Sequence, residues 1–265
     1  MVKFRTPADA GKETPFPDAH AADGEVEATP VASSPVVAGR AGRLRYRVFG
    51  RVLPSALYAY LGVLVGVNLK RSILASRDHG AVYVIGHPVR LGLYLLFCTI
   101  PIALFLTRPV PRARDGTLVA RGAAFAGTVI LIGAGAVRGG AGQVIVTPPS
   151  WFADGAALLL ALFTALEVYT LLRLRTSFSI IPEARRLVTD GPYAVVRNPL
   201  YAAEIAAAVA WAASEPRLLL VAAVPLFVAL QLLRIRFEER LLRRAFPHAY
   251  RDYFARTPRL VPFLW

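Results

Sequence analysis

Long apolar runs alternate with short, mostly basic interruptions along this chain. The runs at about 52–69, 89–107, 118–137 and 152–172 each approach the ~20 residues that a bilayer-spanning helix needs. A fifth stretch, 200–233, is too long for one helix, and Ser214, Glu215, Pro216 and Arg217 interrupt it as the tip of a helical hairpin. The hairpin arms are short: residues 201–213 reach about 20 Å as a helix, against ~30 Å of hydrocarbon. Ala202, Ala206, Ala207 and Ala210 give the first arm a small-residue face for packing on other helices. From about 234 the chain turns charged and aromatic, which predicts a cytoplasmic helix and tail. The pattern therefore predicts an all-α, polytopic transmembrane bundle of about six apolar segments, the last two forming a short hairpin.

The polar interruptions orient this bundle. Arg40, Arg43, Arg45, Arg47 and Arg51 precede the first run, and Arg108, Arg112 and Arg114 follow the second. Residues 173–197 hold five arginines, whereas 138–151 holds only Arg138. Basic segments stay in the cytoplasm, so both termini are expected there, as in a bacterial inner-membrane protein. Lys70, Arg71, Arg77 and Arg90 run against this alternation and make the first two spans the least regular part of the pattern.

Residues 1–39 contain five prolines, six acids, three bases and no apolar run, so a disordered tail is expected there. This divides the chain into a tail (1–39), N-terminal transmembrane helices (40–175) and a C-terminal region (176–265) that carries the polar clusters.

Composition excludes the alternatives. With 55% hydrophobic and 18% charged residues and a mean hydropathy of +0.49, the chain is too apolar for a soluble domain. The net charge of +14 would suggest nucleic acid in a soluble protein, but 28 of the 31 basic residues are Arg and most lie between apolar segments. That distribution belongs to cytoplasmic loops, and no nucleic-acid partner is expected. A single cysteine, Cys98, and four scattered histidines (His20, His79, His87 and His248) predict neither a disulfide nor a metal site. Gly133-x-Gly135 and Gly139-Gly140 lack the strand–helix context of a nucleotide loop and read as helix packing or loop.

Two polar clusters flank the hairpin, and a short arm out and back returns them to one membrane face. The first is Asp190-Gly191-Pro192-Tyr193 followed by Arg197-Asn198-Pro199-Leu200-Tyr201. Gly-Pro forces a turn, Pro199 suits the first position of a helix, and Asn198 suits its N-cap. The plain alternative is a structural helix start with Tyr193 and Tyr201 at the membrane interface. In the second cluster, Arg234 through Leu242, Glu239 interrupts the stripe Leu232, Ile235, Leu242, Phe246 and needs a partner, while Glu238 can pair with Arg234 one turn earlier. Read alone, these two acids are an ordinary solvated face. Glu204, inside the apolar arm, is a further candidate, because an ionisable group in a membrane helix is often functional; its plain reading is a side chain that snorkels to the interface.

Taken together, Asp190-Gly-Pro-Tyr, Arg197-Asn-Pro-x-Tyr201, the hairpin, Glu238-Glu239-x-x-Leu, and Phe246-Pro-x-x-Tyr250-x-x-Tyr253 ending in Thr257-Pro-Arg259 with Pro262 resemble the isoprenylcysteine carboxyl methyltransferases and the related phospholipid methyltransferases. The resemblance covers about residues 176–262. It implies an integral membrane methyltransferase that uses S-adenosylmethionine, with Gly191, Pro192, Tyr193, Arg197, Asn198, Pro199, Tyr201, Glu238 and Glu239 as its cofactor-binding residues. The residues suit that ligand: a carboxylate and tyrosine faces for its cationic sulfonium and amine, and a helix start or Arg197 for its carboxylate. Asn198 stands where many relatives have His, and Ala203 where many have Gly.

The acceptor is expected to be lipophilic and to arrive from the membrane lipids. A carboxylate, prenylcysteine-like or another lipid acid, is favoured, with Arg197 or Arg234 holding it, and Arg236 a further interfacial cation. For the alternative, a phospholipid amine, one of Glu204, Glu238 or Glu239 would take the proton. Other classes are a membrane reductase of the sterol reductase type using NADPH, whose phosphate the paired glutamates would disfavour, and a non-enzymatic scaffold.

Overall fold

The computed structural model describes residues 39–75, 81–111, 113–114, 117–136 and 143–262. The expected tail, apart from Gly39, lies outside them, as do His20, His79 and Gly139-Gly140.

The described chain is a bundle of helices: α1 (Gly39–Arg45), which continues through a π-helical segment, Tyr46–Val52, into α2 (Leu53–Ala75); α3 (Ala81–Thr107); α4 (Leu118–Ala136); α5 (Ser150–Leu174); the short α6 (Pro192–Val195); α7 (Pro199–Ser214); α8 (Leu218–Ala245); and α9 (Pro247–Arg256). Among the described residues, three helical stretches are long and apolar enough to cross a membrane, Gly39–Val67, Ser150–Ser177 and Leu218–Ala245, with shorter apolar helices over Leu91–Thr107 and Leu118–Ala134. Large apolar side chains face outward: Leu118 is 82% exposed, Trp151 74% and Leu158 72%. An apolar exterior of this kind is what hydrocarbon demands and water penalises.

Helix α2 packs on α3, α3 on α5, α5 on α7 and α4 on α8. Small residues let α5 and α7 approach closely: Leu160 of α5 meets Ala207 and Ala210 of α7. Ala203 and Ala208 are also buried, whereas Ala202 and Ala206 are only partly so. Of the glycines on α4, a Cβ at Gly133 would meet nothing within 4 Å. Gly133 is therefore not the packing contact expected, and the close approach on this helix falls at Gly127.

Two further expectations are corrected. The second hairpin arm is not short: α8 is one helix of 28 residues, about 42 Å long at ~1.5 Å per residue. No separate cytoplasmic helix begins near 234, because nothing in 234–245 breaks the helix, and Arg234, Glu238 and Glu239 find partners at the site described below. The break comes at Phe246-Pro247, and only α9 forms the separate C-terminal helix. The described chain is otherwise almost wholly helical, as expected, with one two-residue pairing beside the helices. Ala113–Arg114 and Glu183–Ala184 (β1 and β2) pair antiparallel, with Ala113 opposite Ala184 and Arg114 opposite Glu183.

Glu183 explains that small ladder. Its carboxylate is 1% exposed and meets Arg108 at 3.3 Å, Arg114 at 3.2 Å and Arg185, and accepts a hydrogen bond from Ser179 at 2.9 Å. Arg108 in turn stacks 4.5 Å over the Phe105 ring and donates to the Gly50 carbonyl, while Arg185 donates to Pro109 O and Tyr46 Oη. Burial draws the Arg108 guanidinium down to about 10, with Glu183 opposing the shift. One carboxylate thus ties the end of α3 and the π-helical segment to the chain after α5. Below it, Tyr58, Phe105 and Phe178 form an aromatic cluster with centroids 5.5–6.3 Å apart.

Candidate active site

Helices α7 and α8 return the two polar clusters to one place. At the hairpin's far end, Ile145 donates to Pro216 O (2.8 Å) and Leu218 to Gln143 O (3.0 Å), pinning the tip to the segment before α5. At the near end a partly open cleft encloses about 850 Å³, including space continuous with solvent. Its walls include Phe178, Arg186, Tyr193, Arg197, Asn198, Leu200, Tyr201, Arg234, Glu238, Leu241, Tyr250 and Tyr253.

Gly191 holds φ +58°, a conformation that side chains resist, and lets the chain turn into α6. A Cβ there would also crowd Arg173 Nε at 3.3 Å. Pro192 and Pro199 begin α6 and α7, where a missing N–H removes no helical bond. Asn198 occupies the N-cap position of α7, but its side chain does not cap the helix. Instead Asn198 Nδ2 donates to Glu239 Oε1 (3.0 Å) and Arg259 O (3.2 Å).

That difference exposes a clamp. Glu239 also accepts from Arg197 Nε at 3.2 Å and from Arg259 Nε at 3.1 Å. Arg197 further donates to Phe254 O and Thr257 O and lies 4.1 Å over the Phe254 ring. Backbone bonds from Arg197 N to Pro258 O (2.8 Å) and from Asn198 N to Arg259 O (3.1 Å) complete it. Glu239 is buried as the apolar stripe predicts, yet it does not line the cleft; it fastens the segment after α9 to the start of α7.

Beside Glu183, which is engaged by its arginines, Glu238 is an acid on the cleft wall. It accepts a hydrogen bond from Tyr201 Oη, and the Arg234 guanidinium lies 5.1 Å from the Tyr201 ring centroid. Arg234 donates to Gln231 Oε1 (2.9 Å), whose amide nitrogen donates to Glu204. Glu204 itself stands behind this row rather than on the cleft wall, and Arg236 is exposed away from it. Tyr193 lines the cleft while its carbonyl accepts from Tyr253 Oη at 2.6 Å. Burial raises the Tyr193, Tyr250 and Tyr253 hydroxyls above their ordinary range, Tyr250 to about 12. Two polar atoms on the wall, Arg234 Nε and Tyr250 Oη, are buried without a hydrogen-bond partner among the described residues. Orphaned groups at a cleft are what a polar ligand would satisfy.

Sequence reasoning did not single out Gln231, although a lone amide in the run Ala229-Leu230-Gln231-Leu232-Leu233 is a legible signal. Nor did it foresee the Glu183 cluster, in which Arg108 and Arg114 come from a distant part of the chain.

This geometry sits in a recognisable segment. Residues 151–249 match the phospholipid methyltransferase family model. That family belongs to the isoprenylcysteine carboxyl methyltransferase-like group of membrane methyltransferases, in agreement with the resemblance read from the motifs. The match begins at α5, earlier than the motifs alone reach, and stops before Tyr250, Tyr253 and Arg259. The chain is also 39% identical over 83 residues to the nickel-cobalt-cadmium resistance protein NccN of Alcaligenes xylosoxydans xylosoxydans. That alignment covers 31% of this chain and 38% of NccN. No solved structure matches.

Proposed function

We propose that this protein transfers a methyl group from S-adenosylmethionine to a lipophilic acceptor at the cytoplasmic face of a bacterial inner membrane, with both termini cytoplasmic. The observation that carries the reading is the Tyr201–Glu238 hydrogen bond under Arg234 on the wall of a cleft that lies largely within the methyltransferase-like segment.

The residues fit the cofactor. Glu238 and the faces of Tyr193 and Tyr201 suit its cationic sulfonium and amine, at ~0.5–2 kcal/mol per aromatic contact. The start of α7, whose first amides lack helical acceptors, and the exposed Arg186 suit its carboxylate. When bound, S-adenosylmethionine supplies an electrophilic methyl group. The protein needs no nucleophile of its own for such a transfer; its work is to align the acceptor and to exclude water. Arg197 and Glu239 serve by holding the clamp closed, and Arg234, with Nε free, is the cation placed to hold an acceptor carboxylate.

Phospholipid-amine methylation remains the second reading, favoured by Glu238, the cleft acid placed to take the proton that an amine must lose. Calorimetry with S-adenosylhomocysteine and with NADPH on detergent-purified protein tests the class. Saturable binding of S-adenosylhomocysteine, weakened by Glu238→Gln, supports a methyltransferase; binding of NADPH alone, or of neither, overturns it.

A further inference from the structure

Helix α4 lies outside the methyltransferase-like segment, yet it touches the row of side chains behind the cleft. A Cβ built on Gly127 would meet Gln231 Oε1 at 3.2 Å, Arg234 Cδ at 3.3 Å and Arg234 Nη1 at 3.5 Å. Gly127 is buried, Gln231 is 1% exposed and Arg234 5%. The bare backbone of α4 is therefore the surface on which this amide and this guanidinium rest. Gln231 accepts from Arg234 with its oxygen and donates to Glu204 with its nitrogen, so its amide is held at both ends and cannot turn without losing a buried bond. Arg234 has one further acceptor, Ile180 O at 3.5 Å, and its planar group lies over Tyr201.

We infer that Gln231, seated on Gly127, is a positioning residue: it fixes the rotation of Arg234 over Tyr201 and thereby the placement of the Tyr201–Glu238 pair that faces the cleft. The N-terminal helices are then part of the site rather than an independent membrane anchor. This inference rests on the proposed cofactor reading. It concerns how the wall is held, and the two residues it adds, Gly127 and Gln231, do not line the cleft.

Two variants act on the seat by opposite means. Gly127→Ala pushes the amide and guanidinium by a few tenths of an ångström. Gln231→Leu is of broadly similar size and removes the amide, and with it the bonds to Arg234 and Glu204. Gly122→Ala and Gly133→Ala on the same helix are controls, since a Cβ at either meets nothing within 4 Å. Calorimetry of S-adenosylhomocysteine binding to the full-length protein in detergent, with thermal unfolding in parallel, decides the matter. Gly127→Ala and Gln231→Leu are expected to weaken binding about tenfold each, because small misplacements of a positioned group are felt strongly. The double variant should be no weaker than the worse single one, as both act through Arg234. Both controls should bind like wild type. Wild-type affinity in both test variants overturns the inference alone, and so do losses that multiply in the double variant and follow the unfolding temperature. If the wild-type protein itself fails to bind S-adenosylhomocysteine, the cofactor reading falls and this inference with it.

Discussion

Arg197 and Glu239, 42 positions apart, meet at 3.2 Å between Nε and Oε1, both nearly buried. The contact joins the start of α7 to the last third of α8, and Arg259 closes it from the far side with Nη2 3.0 Å from Glu239 Oε2. One carboxylate thus holds three separate pieces of chain.

Glu239→Ala is therefore expected to act on the fold more than on the cleft wall. It strands a buried Arg197 and removes the acceptor for Asn198 and Arg259, and breaking a buried pair from one side costs about 3–5 kcal/mol. Thermal unfolding in detergent should fall markedly, and limited proteolysis should cut first near Thr257-Pro258-Arg259. Glu238→Gln should leave both unchanged while weakening S-adenosylhomocysteine binding. The reverse pattern would reassign the two acids.

The Glu183 cluster predicts an asymmetry. Three arginines share one carboxylate, so Glu183→Ala leaves Arg108 and Arg185 facing each other without a counter-ion at 2–3% side-chain exposure. Several kcal/mol of stability should be lost. Arg114→Ala, by contrast, removes a partner that is 20% exposed and relieves repulsion, so a change of about 1 kcal/mol or less is expected. Equal losses in the two variants, read from chemical or thermal unfolding, would show that the ladder rather than the charge holds this corner.

Much of this arrangement was legible in the chain because it depends on local rules. The 3.6-residue period put Glu239 on the apolar stripe, and Pro199 and Gly191 marked a helix start and a turn. The fourfold spacing of Arg234 and Glu238 put them on one face. What each acid touches was not legible, because the partners of Glu239 come from positions 197, 198 and 259, and no helical period links these. The same holds for Gly127, whose importance appears only once α4 packs on α8. The continuous α8 was missed for a related reason. A charged run after an apolar one looks like an exit from the membrane, yet here Arg234, Glu238 and Glu239 each have partners inside the protein and the helix has no cause to end.

The route of the acceptor gives the last prediction. Leu174, Phe178, Leu200, Leu241 and Leu242 line the cleft beside its polar groups, so the cleft offers contacts both to hydrocarbon and to charge. A lipophilic acceptor gains about 0.8 kcal/mol per CH₂ on entering the bilayer, which concentrates it beside such a wall before any specific contact forms. Its reacting group must then reach Arg234 or Glu238, which lie on the same helix face within one turn. A carboxylate would be gripped by Arg234, and Arg234→Lys, lacking the fork of donors, should then raise KM for the acceptor more than it weakens the cofactor. An amine would depend on Glu238 as proton acceptor, and its methylation should fade as pH falls and that carboxylate is neutralised. Methyl-transfer assays on matched lipid acids, lipid amines and short-chain analogues should find turnover confined to the long-chain compounds, with acids ahead of amines. Equal rates on short-chain analogues would eliminate entry from the bilayer, and selective turnover of amines would move the chemistry from Arg234 to Glu238.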